Sequence, residues 1–183
     1  ISPRDWSSDV CSSDLLEYQI GRGALEALGV DFELGPDDVA ARGNFCVVDE
    51  NGLLVDRRAG RLPTSESERL VQKLRAIKLE GAEVFVEVVK EHRFVLVLRA
   101  PGLGTSLTDS DPLVTGAAPL KVQALEASSE RTATLFNQFL EKAEGVLKNE
   151  TPANMVLLRG FAKFPVMPKY PDVFNLKAAA IAV

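Results

Sequence analysis

The chain has 183 residues, of which 46% are hydrophobic and 26% are charged, a globular composition that excludes an intrinsically disordered chain. Its formal net charge is −5, and no basic stripe is dense enough to predict a nucleic-acid groove. The sequence has no run of about 18 apolar residues, so no membrane span is expected. Cys11 and Cys46 do not make a disulfide framework, and a reducing cytoplasm is the simplest interpretation.

The opening fifteen residues have neither helical nor strand periodicity. Within them, RDWSSDVCSSDL has a reverse translation that resembles a common sequencing-library adapter. Residues 1–15 are therefore interpreted as a non-native, adapter-derived segment and are excluded from the fold prediction. At the other end, FNLKAAAIAV is typical of a buried strand that is cut short at Val183. We therefore expect the natural protein to continue beyond both ends of the printed sequence.

The first predicted elements are a short helix and a β-hairpin. The stretch IGRGALEALGV predicts a helix that ends at Gly29 and in which Leu25 and Leu28 share a face. The stretch VAARGNFCVVDENGLLVDRRAG predicts two strands joined by a turn at residues 50–52. Asn-Gly between two β-rich runs is the strongest short-range hairpin signal.

A second helix, a second hairpin and a long loop come next. LPTSESERLVQKLRAIKL predicts a helix that begins with a capping box of Ser65 and Glu68. AEVFVEVVKEHRFVLVLRA predicts a hairpin with its turn at residues 90–92, and its composition favours strands in the middle of a sheet. Residues 101–127 lack periodicity, and a loop of this length is usually functional or disordered.

A third helix and two apolar strands complete the pattern. The helix is predicted from apolar residues at helical spacing, namely Leu135, Phe136, Phe139, Leu140, Ala143 and Val146. ANMVLLRGF and LKAAAIAV both resemble the buried parallel strands of an α/β sheet. This order predicts an antiparallel sheet with helices on one face, inserted as an α+β cap into an α/β domain.

Arginines beside glycines are the residues most suited to bind an anion. Glycine lets the backbone approach a ligand, and the planar guanidinium makes bidentate contacts to phosphate or carboxylate. In an extended strand Arg57 and Arg61 point one way and Arg58 the other, so they converge only if the chain bends at Gly60. The alternative is that these arginines pair with nearby carboxylates or face water. The arginines in question are Arg22, Arg42, Arg57, Arg58, Arg61 and Arg159.

Other polar residues give weaker signals. His92 lies at a predicted turn beside Arg93, where a histidine is most often simply solvated. Asp109 and Asp111 in TDSDP are either metal ligands or organisers of a turn through their own side chains. Cys46 is expected in the core. PGLGTS lacks the lysine of a P-loop, and no dinucleotide fingerprint or Ser–His–Asp arrangement is present.

The sequence resembles one known family over residues 16–183. The stretches that carry the resemblance are GRGALEALGV, VAARGNFCVVDENGLLVDRRAGR, VKEHRFVLVLRA, TDSDP and NMVLLRGFAKFP, in this order and at the right spacing. They are similar to the archaeal-type, cofactor-independent (2,3-bisphosphoglycerate-independent) phosphoglycerate mutases of the alkaline phosphatase superfamily. The resemblance implies an α/β phosphatase-like fold, incomplete here, with an inserted α+β cap domain. It implies a connection at residues 16–34, the cap at 35–150 and the second part of the phosphatase-like domain from 151 to 183.

The same resemblance implies a reaction that this part of the protein does not complete. The family interconverts 3-phosphoglycerate and 2-phosphoglycerate through a phosphoserine, with two divalent metal ions (Mn, Mg, Zn or Co) in the full-length protein. Its serine and metal ligands precede the GRG segment or follow the position of Val183. No catalytic residue, metal ion or activity is therefore expected in this part alone.

The expected ligand is a small phosphorylated acid, phosphoglycerate. The resemblance favours substrate contacts by Arg22, Arg42, Arg57, Arg58, Arg61, His92, Arg93 and Arg159. Two alternatives stay open. One is a related phosphotransferase of the same superfamily that acts on another phosphorylated substrate. The other is a non-catalytic anion-binding module.

Overall fold

The central element of the fold is the eleven-residue strand β1 (Asp38–Val48), to which three other strands are paired. The computed structural model describes residues 20–164, which form one compact unit. The adapter-like segment 1–15 and the predicted strand LKAAAIAV lie outside the described residues. Within residues 20–164, no helix is both long enough and apolar enough to cross a bilayer.

Three helices and five strands follow one another in the described part of the chain. Their bounds are α1 (Arg22–Gly29), β1, β2 (Leu54–Asp56), α2 (Thr64–Leu74), β3 (Glu83–Lys90), β4 (Arg93–Arg99), α3 (Glu130–Leu147) and β5 (Met155–Ala162). Short 3₁₀ turns at Ala59–Arg61 and Ala127–Ser129 precede α2 and α3. Both predicted hairpins and all three predicted helices are confirmed.

All strand pairings are antiparallel. β1 pairs with both β4 and β5, and its last two residues pair with β2. β3 pairs with β4. The expectation that ANMVLLRGF is a parallel strand is wrong, since β5 runs antiparallel to β1. β5 reads as an apolar run because Val156 and Leu158 face the main core, whereas Leu157 is buried in a small cluster on the other face.

The main core lies between the sheet and the helices α2 and α3. It contains Phe45 and Phe94 from the sheet, Leu70 from α2 and Phe136 from α3, all fully buried. The opposite face of the sheet carries α1, whose Ala27 packs with strand residues in a smaller apolar cluster. The prediction of helices on one face is therefore wrong for α1, a helix rich in small residues that can approach the sheet closely.

Two local predictions are wrong at the level of single side chains. Helix α2 begins at Thr64 after Pro63, and no side chain caps it, so Ser65 and Glu68 make no capping box. Leu25 and Leu28 of α1 lie on one exposed face, whereas Val146 of α3, predicted in the apolar stripe, is also exposed. In α3 the buried position is Leu147, which continues the apolar stripe one residue later.

The long loop at residues 101–126 is fixed by hydrogen bonds to itself and to β5. The hydroxyl of Ser110 donates to the carbonyl oxygen of Leu158 and accepts from its N–H, at 3.2 and 2.7 Å. Thr108 N–H donates to the carbonyl oxygen of Gln123 at 2.9 Å. This loop thereby places Asp109 and Asp111 beside Arg159 of β5.

A glycine-to-alanine pair tests the close packing around β1. A Cβ at Gly43 would lie 2.2 Å from the Phe94 ring, so Gly43→Ala is expected to lower the free energy of unfolding by about 1–3 kcal/mol. Gly145→Ala in α3 is the control, because open space surrounds that position and alanine favours helix by about 1 kcal/mol. Urea unfolding followed by circular dichroism measures both. Equal stability of the two variants would contradict the close contact.

Candidate functional site

Six arginines surround one polar cavity of about 380 Å³ on the face of the sheet opposite the main core. The residues that line it are Arg42, Asn44, Arg57, Arg58, Arg61, Glu91, His92, Arg93 and Arg159. Seven of the eight residues predicted to contact the ligand are thus brought together. The cavity has the charge and the shape to accept a small anion with more than one acidic group.

The strands place their polar side chains in this cavity through simple alternation. Residues two apart in a strand share a face, so Arg42 and Asn44 both point away from the main core that holds Phe45. Asn44 pairs in register with Arg93 of β4, and Arg42 pairs with Arg159 of β5. Three neighbouring strands therefore present cations at one level of the sheet.

A sharp turn after β2 brings Arg58 and Arg61 to the same cavity. Ala59, Gly60 and Arg61 have φ angles of +46°, +64° and +55°, a left-handed conformation that costs non-glycine residues about 1 kcal/mol each. The carboxylate of Asp56 holds the turn by accepting the N–H groups of Arg58 at 2.8 Å and Gly60 at 2.6 Å. The predicted bend at Gly60 is confirmed, and it allows these arginines to converge with Arg57.

Asp111 fixes two of the arginines from behind. Its buried carboxylate accepts Nε and Nη2 of Arg57 at 2.9 and 2.6 Å, and Nη1 of Arg159 at 3.4 Å. The backbone N–H of Leu113 donates to the same group at 2.9 Å. Burial raises the pKa of Asp111, but the hydrogen bonds from Arg57 and Leu113 and the charge of Arg159 outweigh it and hold that pKa below its usual value. Asp111 is therefore ionised at neutral pH.

Glu26 of α1 has the same relation to two other arginines. Its carboxylate is 7% exposed, and Oε1 lies 2.6 Å from Nε of Arg42 and 3.3 Å from Nη1 of Arg93. The cavity thus has two buried anions behind it, each shared by two guanidinium groups. One carboxylate offsets only one of the two guanidinium charges beside it. Each set of one carboxylate and two arginines therefore keeps a net charge of one positive unit next to the cavity.

His92 is buried beside the cavity in its neutral form. Burial lowers the pKa of its imidazole, and the positive charge of Arg93 lowers it further. Its Nδ1 is buried and has no hydrogen-bond partner within residues 20–164. A neutral imidazole next to so many cations can either donate to or accept from a ligand.

Arg22 is the predicted site residue that does not line the cavity. It begins α1, is exposed, and lies against Gly160, where an added Cβ would be 2.8 Å from the Cβ of Arg22. Gly160 has a φ of +64°, which explains why this strand position is a glycine. Burial and then the charge of Arg22 lower the pKa of the neighbouring Arg159 guanidinium.

The aspartates of TDSDP are engaged by donors and cations of the protein itself. Asp109 accepts the N–H of Gly160 at 2.8 Å and lies 3.9 Å from Nε of Arg159, and Asp111 is held as described. In the described part of the chain, no three His, Cys, Asp or Glu side chains cluster as a metal site. The residues present here do not fit a pair of divalent metal ions. Cys46 is fully buried in an apolar cluster, as expected.

Comparison with known proteins identifies the family. The family model for 2,3-bisphosphoglycerate-independent phosphoglycerate mutase matches residues 10–154. The chain belongs to this family. A probable mutase of this kind from Thermus thermophilus is 48% identical over 171 residues, which are 92% of this chain and 42% of that protein. Its counterpart from Thermotoga neapolitana is 44% identical over the same shares. The chain spans about two fifths of the length of these mutase relatives.

Solved structures agree with the fold. A cofactor-independent phosphoglycerate mutase from Thermoplasma acidophilum superimposes with a TM-score of 0.73 at 33% identity, covering 85% of this chain and 45% of that one. The PH0037 protein from Pyrococcus horikoshii has a TM-score of 0.60 at 24% identity and covers 90% and 38%. The second match shows likeness of fold alone. The antiparallel sheet with its helices is therefore an arrangement known in the mutase family.

Sequence reasoning missed the residues that organise the arginines. Glu26 and Asn44 are not among the predicted site residues, and Asp111 was predicted only as a metal ligand or a turn organiser. Its contact with the N–H of Leu113 confirms the turn role, but its contacts with Arg57 and Arg159 were not predicted. A buried glutamate within an alanine- and leucine-rich helix has no periodic signal of its own. The signal available for Asn44 was its spacing of two from Arg42 in a predicted strand.

Replacing Asp111 by asparagine tests the anion behind Arg57 and Arg159. Asp111→Asn is expected to lower the free energy of unfolding by about 1–3 kcal/mol, because two partly buried guanidinium groups lose their counter-charge. The exposed Asp37→Asn serves as the control. Chemical unfolding at pH 7 compares the two variants with the unaltered chain.

The pH dependence of that loss has a defined sign. The folded pKa of Asp111 lies below the value of about 3.9 found in unfolded chains, so its stabilisation is present above that value and is lost as the pH falls through the lower, folded one. The stability difference between the unaltered chain and Asp111→Asn should therefore stay nearly constant from pH 7 to about pH 5 and shrink as the pH falls from there to 3. A constant difference down to pH 3 would show that the pKa of Asp111 is the same in the folded and unfolded states, so that Arg57 and Arg159 do not favour its ionised form.

Proposed function

We propose that the arginine-lined cavity binds phosphoglycerate, and that residues 20–164 are a substrate-binding part of a phosphoglycerate mutase. The observation that supports this is the excess of positive charge. Six guanidinium groups line the cavity, against four carboxylates in and behind it, Glu26, Glu91, Asp109 and Asp111. Within the described residues, the side chains of Arg58 and Arg61 form no ion pair with any of these carboxylates. A ligand with a phosphate and a carboxylate offsets the remaining charge.

The whole protein, in this proposal, interconverts 3-phosphoglycerate and 2-phosphoglycerate. The mutase family to which the chain belongs supports this reaction, and its resemblance to the alkaline phosphatase superfamily supports a phosphoserine intermediate and two divalent metal ions held by other parts of the protein. The arginines neutralise the phosphoryl group and orient the carboxylate of the acid. The same proposal makes residues 35–150 the cap domain and assigns the residues on either side of it to the phosphatase-like domain. It also gives Arg22 a role in steering the anion by its charge.

Calorimetric titration of the 183-residue chain with 3-phosphoglycerate tests the binding. We expect Arg58→Ala/Arg61→Ala to weaken binding at least about tenfold, because each charge-assisted hydrogen bond to an anion contributes about 1.5–3 kcal/mol. The control is Arg69→Ala/Lys73→Ala, which removes two positive charges from exposed side chains of α2 that pair with Glu150. Equal affinities of the two double variants would rule out the cavity as the binding site.

A coupled assay with enolase tests whether catalysis requires parts of the protein outside the 183-residue chain. The 183-residue chain is expected to produce no 2-phosphoglycerate from 3-phosphoglycerate, with or without Mn²⁺, although it binds the acid. A Thermus thermophilus relative provides the positive control under the same conditions. Turnover by the 183-residue chain alone would overturn the assignment of the nucleophile and metals to other parts of the protein.

A further inference from the structure

Helix α1 contributes one buried charged side chain to the site, and it does not line the cavity. Glu26 is 7% exposed, while the neighbouring buried residues of the helix are Gly23, Ala24 and Ala27. Burying a carboxylate is costly unless cations and hydrogen bonds compensate it. Here Arg42 and Arg93 compensate it from the strands β1 and β4.

We propose that Glu26 is a positioning residue for anion binding, which holds Arg42 and Arg93 so that their remaining N–H groups face the cavity. The proposal rests on the proposed function of the cavity. Glu26 Oε1 accepts a hydrogen bond from Nη1 of Arg93 at 3.3 Å and forms an ion pair with Nε of Arg42 at 2.6 Å, without hydrogen-bond geometry. Nε is the nitrogen of Arg42 nearest the backbone, so both terminal nitrogens stay available for a ligand. Within residues 20–164 neither terminal nitrogen of Arg42 donates a hydrogen bond, and both arginines line the cavity.

One carboxylate oxygen shared by two guanidinium groups also fixes the spacing between them. Arg42 and Arg93 come from adjacent strands, and Glu26 reaches both from the helix packed above. An arginine that is already held loses less conformational freedom when a ligand binds. The three residues thus form a rigid half of the cavity, whereas Arg58 and Arg61, on the turn after β2, form a half without such carboxylate partners.

The direction in which Glu26→Gln changes the affinity for an anion distinguishes a positioning role from a simple effect of charge. Glu26→Gln keeps the shape of the side chain and removes one negative charge from behind the cavity. If Glu26 acted only as a charge, an anion would bind more tightly to this variant because the cavity becomes more positive. If Glu26 positions the arginines, the anion binds more weakly in spite of the added positive charge.

The experiment is a calorimetric titration with inorganic phosphate and with 3-phosphoglycerate at pH 7. We expect Glu26→Gln to weaken binding of 3-phosphoglycerate about tenfold, the loss of one charge-assisted contact. Glu26→Asp, which keeps the charge on a shorter side chain, should recover part of it. The matched control is Glu87→Gln, because Glu87 also pairs with an arginine, Arg75, but lies outside the cavity. This control should bind as tightly as the unaltered chain.

Tighter binding by Glu26→Gln than by the unaltered chain would overturn the positioning role while leaving the proposed function in place. Failure of the unaltered chain to bind either anion would overturn the proposed function instead. In that case, or if Glu26→Gln does not fold, side-chain NMR of the unaltered chain decides the inference. The Nε–H groups of Arg42 and Arg93, assigned with lysine variants, should show higher order parameters in ¹⁵N relaxation than those of Arg58 and Arg61, because held side chains move less. Equal order parameters for all four would overturn the positioning role.

Discussion

A carboxylate buried between two guanidinium groups is the interaction on which the whole cavity depends. Six arginines within one small space repel one another, and the repulsion is stronger near a protein interior than in water. Asp111 and Glu26 offset this repulsion from opposite sides, and neither occupies the cavity itself. The arrangement keeps the guanidinium groups ordered and leaves a net positive charge where a ligand can reach it. Removing one cation from either pair would leave the buried anion undercompensated.

The sheet makes this arrangement possible by separating two environments. One face of β1 and β4 is sealed by α2 and α3 with large apolar side chains, which provide most of the buried apolar surface. The other face therefore needs little apolar cover in its centre and can hold charged side chains between α1 at one end and the cluster around Cys46 at the other. Stability and ligand binding are assigned to different faces of the same strands.

Local signals in the sequence predicted the helices and strands well, but they could not predict contacts between segments that are distant in the sequence. Asn51-Gly52 identified the first hairpin, and glycine neighbours identified three of the six cavity arginines, Arg42, Arg61 and Arg159. The partners Glu26 and Asp111 come from a helix and an irregular loop, and their relation to the arginines arises only when β1, β4 and β5 are assembled. The direction of β5 was mispredicted because an antiparallel strand buried on both faces has the same apolar pattern as a parallel one.

The pairing of β1 with β5 also sets the order in which the protein can form during synthesis. The side-chain amide of Asn154 binds both the N–H and the carbonyl oxygen of Val48, across 106 residues of sequence. Until β5 leaves the ribosome, one edge of β1 has no partner, and Arg159 cannot join Arg42. Pairings between such distant segments slow folding because a long loop must be closed first. The complete ligand cavity consequently cannot form until β5, the last strand of the described fold, has been made.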